Sequence, residues 1–416
     1  MLSRLRRAAG HLSKLLVRDD GNVVILFAAA SVPLVALGGG VVDYSNARLQ
    51  QRSLQDALDA AALAGVIGDK TDEEEVAVAE AYFLANHTDN AEVESVTFSH
   101  TGERLVGSAT ATVNTRFLRV IDIPQLDVSV SSTATQEMLN EPACVMAMNP
   151  TRKHTLYLVD TVSVIGADCN FYGNSSNPDD VVDPRNAENY LTGRSVQAVG
   201  YGHHYLENVT PPLEHAPEVL SDPLASMVIP AAGSCLFTGK QISGGTETLN
   251  PGTYCDGLEI KSGANVTLNP GTYIIDGDKF RVESSTVTGD DVTIVLTGGN
   301  HAVLYWKQST IRLSGQRTGS EAGFVIMGER VNSTHIIDKS TVDLEGVVYL
   351  PDGAFDWANT GTPTINTKWT AWIVDGFEWS GDGTISMPFS PDESDVPYPE
   401  ELGDMVPRPG TPRLIS

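Results

Sequence analysis

The heptapeptide TLNPGTY occurs twice, at Thr248–Tyr254 and Thr267–Tyr273, so an identical turn returns after 19 residues. In LNPGTY the proline fixes φ, the glycine supplies a positive φ, and the pair bends the chain before Thr-Tyr opens a new strand. Thr286-Val287 follows another 19 residues on, and further Thr-aliphatic pairs stand at Thr310-Ile311, Thr341-Val342, Thr364-Ile365 and Thr384-Ile385, at longer intervals. A short period with occasional stretches marks stacked coils whose insertions leave from one side. Helical repeats need about thirty residues per unit and a 3.6-residue pattern. Neither is present after Cys144, where short Val/Ile/Thr/Leu runs alternate with Gly, Asn, Asp and Pro. Residues 141–389 are therefore expected to form a parallel β-helix-like domain. Leu249, Leu268 and Val287 would pile into an internal ladder at the strand spacing of about 4.8 Å.

The cysteines offer a check. Cys235 and Cys255 are 20 residues apart, close to one coil, and residues stacked at that spacing fall within the Cα separation of roughly 4.4–6.8 Å that a disulfide spans. Cys144 and Cys169 would then form the other bridge, closing the irregular first part where a cap is needed. The alternative is four buried small residues. No C-x-x-C pair occurs, so neither a zinc ribbon nor a thioredoxin-type redox site is supported.

The N-terminal part follows different rules. Val23–Val42 is an uncharged run of twenty residues containing Pro33 and three glycines, long enough as a helix to span about 30 Å, the thickness of a bilayer's hydrocarbon core. Arg4, Arg6, Arg7, Lys14 and Arg18 precede it, which puts the N-terminus in the cytoplasm and the bulk of the chain outside. A cleaved signal peptide ending near Ala36-Leu37-Gly38 is the competing reading. Beyond the run, Leu54, Leu58, Ala61 and Gly65 share one helical face, which favours a single rod continuing out of the membrane.

The expected organisation is a basic cytoplasmic segment (1–20), a transmembrane helix continuing as an amphipathic helix (21–68), a small α+β module (69–140), the β-helix-like domain (141–389) and a Pro-rich acidic tail (390–416). The module rests on an acid-opened helical stretch, TDEEEVAVAEAYFLANH, followed by alternating strands around the turn His100-Thr101-Gly102. The tail is expected to be flexible or extended over the last coil. The fold class is mainly β.

The formal charge of −26 argues against nucleic acid as a partner. A polysaccharide lyase would need clustered carboxylates and a basic residue on one face of the coils. Asp276, Asp278, Asp290, Asp291, Arg281 and Arg312 are the candidates, although turn aspartates serve local backbone bonds in any such fold. His203, His204 and His215 form a candidate metal cluster without carboxylate partners at recognised spacing, so no metal and no cofactor is expected. A metal-ion adhesion site would need D-x-S-x-S, but Val162 stands where the first serine after Asp160 should be. Trp306, Trp357, Trp369, Trp372 and Trp379 either fill wide coils and the C-terminal cap or make a sugar- or protein-binding face.

Gly21-Asn22 opening the apolar run, Pro33 within it, Gly38 to Gly40, then Val42-Asp43-Tyr44 and a Gln/Ala-rich helix ending Asp59-Ala60-Ala61-Ala62-Leu63-Ala64 resemble the anchor segment of TadG-like proteins of the Flp (tight-adherence) pilus-assembly system. The later portion, with ACVMAMNP, paired cysteines and LNPGTY repeats, is similar to C-terminal regions of a subset of such proteins. The resemblance implies a bacterial inner-membrane protein with a periplasmic body, working with pilus-assembly or cell-envelope proteins. Prepilins of this system carry Glu five residues after the processing glycine, where this chain has Leu26. An anchored accessory protein is thus expected rather than a fibre subunit, and the lack of D-x-S-x-S argues against a von Willebrand type A domain. A non-enzymatic assembly protein leads. A membrane-tethered carbohydrate-active enzyme or sugar-binding module is the alternative, and an adhesin released by cleavage near Gly38 a third. The sequence sets no oligomeric state.

Overall fold

The computed structural model describes residues 22–68, 70–87, 92–142, 144–216, 218–361 and 366–415. The basic segment 1–20, Gly21 and the pair Thr364-Ile365 lie outside the described residues. The structure is mainly β, and the chain divides into two compact units, one of residues 1–138 with 409–416 and one of 139–408.

In the first unit, α1 (Asn22–Val66) is a continuous helix of 45 residues with Pro33 inside it. Its C-terminal half buries Ala47, Leu54, Ala57, Leu58, Ala61, Ala62 and Val66, an apolar stripe at helical spacing that needs a partner surface. The partners are α2 (Asp72–Asn86) and a sheet. Thr71 caps α2: its Oγ1 accepts from the Glu74 amide at 3.3 Å, while the Glu74 carboxylate accepts from the Thr71 amide at 3.0 Å. Four acidic residues in the first turn complement the helix dipole. Ala79 and Phe83 face α1, and Gly65 lets the helices close up, since a Cβ there would stand 2.9 Å from the Glu75 carbonyl oxygen.

The sheet is antiparallel, made of β1 (Glu92–His100), β2 (Leu105–Asn114) and β3 (Gln125–Thr135). Alternate residues Leu105, Ala109, Ala111 and Val113 point into the helices, as a half-buried sheet requires. The end of the chain returns here: Arg413 and Leu414 pair antiparallel with Thr135 and Ala134.

The second unit is built from parallel strands, each bonded to the strand one repeat away. Thr246–Leu249, Asn265–Leu268, Thr286–Gly289, Thr310–Ser314 and the start of Thr341–Gly361 stand in one such series. Leu249 is in register with Leu268, but Val287 pairs with Val266, and Leu268 faces Gly289. The expected ladder is corrected by two residues, because the tier that follows Leu268 is longer than the one before it. All three side chains are buried.

The tiers are not stacked in chain order. Starting from Cys235–Ser243, the series runs through Gly252–Lys261 and onward to Thr370–Ser386. On that last strand sits the beginning of the unit: Trp372 pairs with Val145, Phe377 with Leu156 and Thr384 with Ser163. The stack continues through Tyr190–Ala198 to Val209–Thr210 and Glu214–His215. The residues around Cys144 are therefore internal to the stack, not a cap. Phe377 and Trp379, fully buried and stacked at 4.6 Å, give that strand an apolar face for the first strands to cover. Each such side chain contributes about 1.5–3 kcal/mol on burial. A strap of chain after His215 runs along the outside, with Tyr172 donating to the Glu218 carbonyl at 2.7 Å and Tyr349 to the Asp222 carboxylate at 2.6 Å. Residues 390–408 also lie on this unit, with Val396, Leu402 and Val406 buried and Tyr398 5.3 Å from the Trp369 ring.

Candidate functional site

Asp43 is 5% exposed, although it follows the apolar run directly. Its carboxylate accepts from three successive backbone amides, Arg116 at 2.9 Å, Phe117 at 2.7 Å and Leu118 at 2.7 Å. Burial alone raises its pKa, but those amides and the Arg116 charge outweigh it and hold the carboxyl below its usual range. The bonds fix a 3₁₀ turn, Leu118–Ile121, against α1. Gly39 makes room: a Cβ there would lie 2.3 Å from the Phe117 Cβ, and one at Gly40 would lie 3.1 Å from Leu118.

The clamped loop is apolar and turned outward. Val120, Ile121 and Ile123 are 68%, 47% and 41% exposed, Phe117 is exposed beside them, and Arg116 and Arg119 are exposed as well. On α1, Phe27, Leu34, Leu37, Val41, Val42 and Tyr44 are also exposed. Among the described residues no helix is long and apolar enough to cross a membrane. The side chains of Asn22, Val23 and several other residues of the run lie outside the described residues, and Pro33 is exposed within the helix.

A second constellation lies in the second unit. His154 stands two residues before the strand Leu156–Leu158, Asp180 two before Val182–Pro184, Asp183 within that strand, and His203-His204 just after Gly202. Pairing of Leu156 with Val182, and of Val182 with Gly202, puts these residues on three consecutive tiers. Asp180 Oδ1 lies 3.1 Å from His203 Nδ1, and Asp183 Oδ1 lies 3.0 Å from His204 Nδ1. His154 Nε2 lies 3.6 Å from Asp180 and 3.4 Å from Asp183. The Asp183 side chain is fully buried, with Arg185 3.4 Å away. His215 is elsewhere, stacked on Tyr201 at 6.1 Å. Local spacing rules could not find this group, because its members are a tier apart; the signal would have been the repeat itself.

The remaining sequence candidates have structural partners. Cys144 is bonded to Cys169 and Cys235 to Cys255, with Cα separations of 5.1 and 5.6 Å. Asp290 and Arg312 line one open trough, whereas Asp278 and Arg281 line another. Asp276 accepts from Thr297 at 3.0 Å and Asp291 from the Arg317 amide at 2.7 Å. These carboxylates are thus distributed between separate turns. Asp160 accepts from the Gly381 amide at 3.1 Å, and Val162 is buried. All five tryptophans are buried, so they fill the interior.

Residues 21–70 match a family model, Tad, described as Flp pilus-assembly TadE/G-like. The match includes Asp43, Tyr44 and the glycines beneath the clamped loop, so the resemblance read from Gly21 to Ala64 is shown for this segment. No curated protein and no solved structure matches the chain.

Proposed function

We propose that the chain is a non-enzymatic, membrane-anchored protein of Flp/Tad pilus assembly, with its N-terminus in the cytoplasm and the chain after Asp43 in the periplasm. Val23–Val42 is the single span of the inner membrane, and residues 139–408 form a rigid β-solenoid presented to envelope proteins of the pilus machinery. The family match to residues 21–70 supports the assembly role, and the in-register parallel tiers support the solenoid. The observation that carries the reading is the Asp43 clamp. It fixes Phe117, Val120, Ile121 and Ile123 beside the end of an uncharged run, where exposed apolar side chains are costly in water and favourable at the headgroup boundary. Arg116 and Arg119 can keep their charges at the lipid surface while their stems lie along it.

Membrane fractionation with proteolysis tests this. The full-length chain is expected to stay with inner membranes through a carbonate wash, and to be digested by protease added to spheroplasts but not to intact cells. Release by carbonate, or protection in spheroplasts, would overturn the topology. Crosslinking in intact envelopes to other pilus-assembly proteins tests the role, and recovery of none would remove it.

A further inference from the structure

We propose that Asp180, His203 and His204, with His154 and Asp183 alongside, form a binding site for one divalent transition metal ion of the zinc class.

The donor set is the first argument. Neutral imidazole nitrogens and carboxylate oxygens are ligands that zinc takes at about 2.0–2.2 Å. Two overlapping triads, Asp180-His203-His204 and His154-Asp180-Asp183, have donor atoms within 4.8 Å of one another. Adjacent ligand atoms in a tetrahedral zinc site stand about 3.3 Å apart, by geometry from those bond lengths. The near contacts here run from 2.7 Å for His203 Nδ1 to His204 Nδ1 to 3.6 Å for His154 to Asp180, and the other donor pairs of each triad lie within 4.8 Å.

The second argument is the polar atoms left over. His154 Nε2 is buried without a hydrogen-bond partner, although it faces two carboxylates. The Nδ1 atoms of His203 and His204 face each other, and both also face carboxylates. Two neutral imidazoles so placed can share one proton between the two nitrogens, whereas a cation satisfies both lone pairs together. Asp183 is fully buried, with Arg185 alongside as a partial counter-charge, so a dication would complete the neutralisation of the pair of carboxylates.

The third argument is positioning. The donors come from consecutive tiers held by parallel pairing, and the backbone brings them together at a conformational cost. His154, Asp180 and His204, none of them glycine, have φ of 55°, 54° and 51°. Such conformations persist where surrounding structure enforces them and cluster at ligand sites. Bound there, the ion would fasten three tiers near the end of the stack formed by Glu214–His215.

The test uses full-length protein without a polyhistidine tag, stripped with a chelator and titrated with zinc chloride by calorimetry. About one zinc per chain is expected, together with a cobalt(II) visible spectrum of tetrahedral intensity. Asp180→Ala removes the residue common to both triads and should weaken zinc binding by tenfold or more, since losing even a residue that only orients a metal ligand costs about 10–100-fold. His203→Ala, at a side chain 60% exposed, should do the same without threatening the fold, and decides the matter if Asp180→Ala does not fold. His215→Ala should leave the affinity unchanged. Absence of zinc uptake by the wild type, uptake unaltered in His203→Ala, or an equal loss in His215→Ala would overturn the assignment.

Discussion

The side-chain amide of Asn269 donates to Oδ1 of Asn250 at 2.7 Å, so the two copies of TLNPGTY are bonded through the same letter. Tyr254 donates to the Asn250 carbonyl, and Tyr273 to the Asn269 and Leu249 carbonyls, while the two tyrosine rings stack at 5.9 Å. The first three letters, Thr248, Leu249 and Asn250, meet their own copies one tier away, whereas Gly252, Thr253 and Tyr254 lie in register with Tyr273, Ile274 and Ile275.

Gly271 is the most constrained letter. Its φ is 130°, and a Cβ would stand 2.9 Å from Pro251 of the neighbouring tier. Gly271→Ala is expected to cost about 2–3 kcal/mol in urea unfolding. Gly263→Ala, at φ 77° with open space around it, should cost about 1 kcal/mol. A larger loss at Gly263 would contradict the contact with Pro251.

The Cys235–Cys255 bond closes a loop across a sequence separation of 20. Replacing both by serine should lower stability by about 3 kcal/mol, chiefly by freeing the unfolded chain. The comparison is made by denaturant melts of the double variant and the oxidised wild type, and equal midpoints would show that the bond does not constrain the unfolded chain.

His335 is buried, with Nδ1 accepting from the Leu304 amide at 3.1 Å, and burial lowers its pKa to about 3. The unfolded chain takes up this proton below about pH 6.5 while the native state does not until about pH 3, so stability falls with pH through that window by about 1.4 kcal/mol per unit. His335→Gln has no such slope. Its deficit against the wild type should narrow between pH 7 and pH 4, and a constant deficit would mean His335 titrates normally.

On α1, Gly39→Leu would drive a side chain into Phe117, whereas nothing lies within 4 Å of a Cβ at Gly38. Limited trypsin digestion should cut after Arg116 or Arg119 faster in Gly39→Leu than in Gly38→Leu, because the clamped turn is displaced only in the former. Equal rates would show that Gly39 does not seat the loop.

The sequence carries a contact as far as the contact is periodic. Thr248-Leu249 and Thr267-Leu268 repeat in chain and in register. Val287 does not, because the turn from Leu268 to Tyr273 holds two residues more than the turn from Leu249 to Gly252 that it stacks on. A ruler counts residues and cannot tell where within a tier the extra ones sit. Asp43 was legible as part of a motif, but its role depends on amides 73 to 75 residues away. The histidines at 203 and 204 were visible as a pair, whereas Asp180 and Asp183 acquire meaning only when tiers are stacked. The seating of Val145 on Trp372 had no signal at all, since apolar strands do not name the neighbour that will cover them.

That last pairing bears on the order in which the second unit can be completed. A polypeptide made from its N-terminus presents Val145 and Leu156 early, yet their neighbours Trp372 and Phe377 emerge near the end. Until then, one flank of the early strands stays bare, an invitation to sticky encounters with other unfinished chains. The second unit is therefore closed only after its last strand has been made, and a chain cut short before Thr370 would lack the piece that closes it.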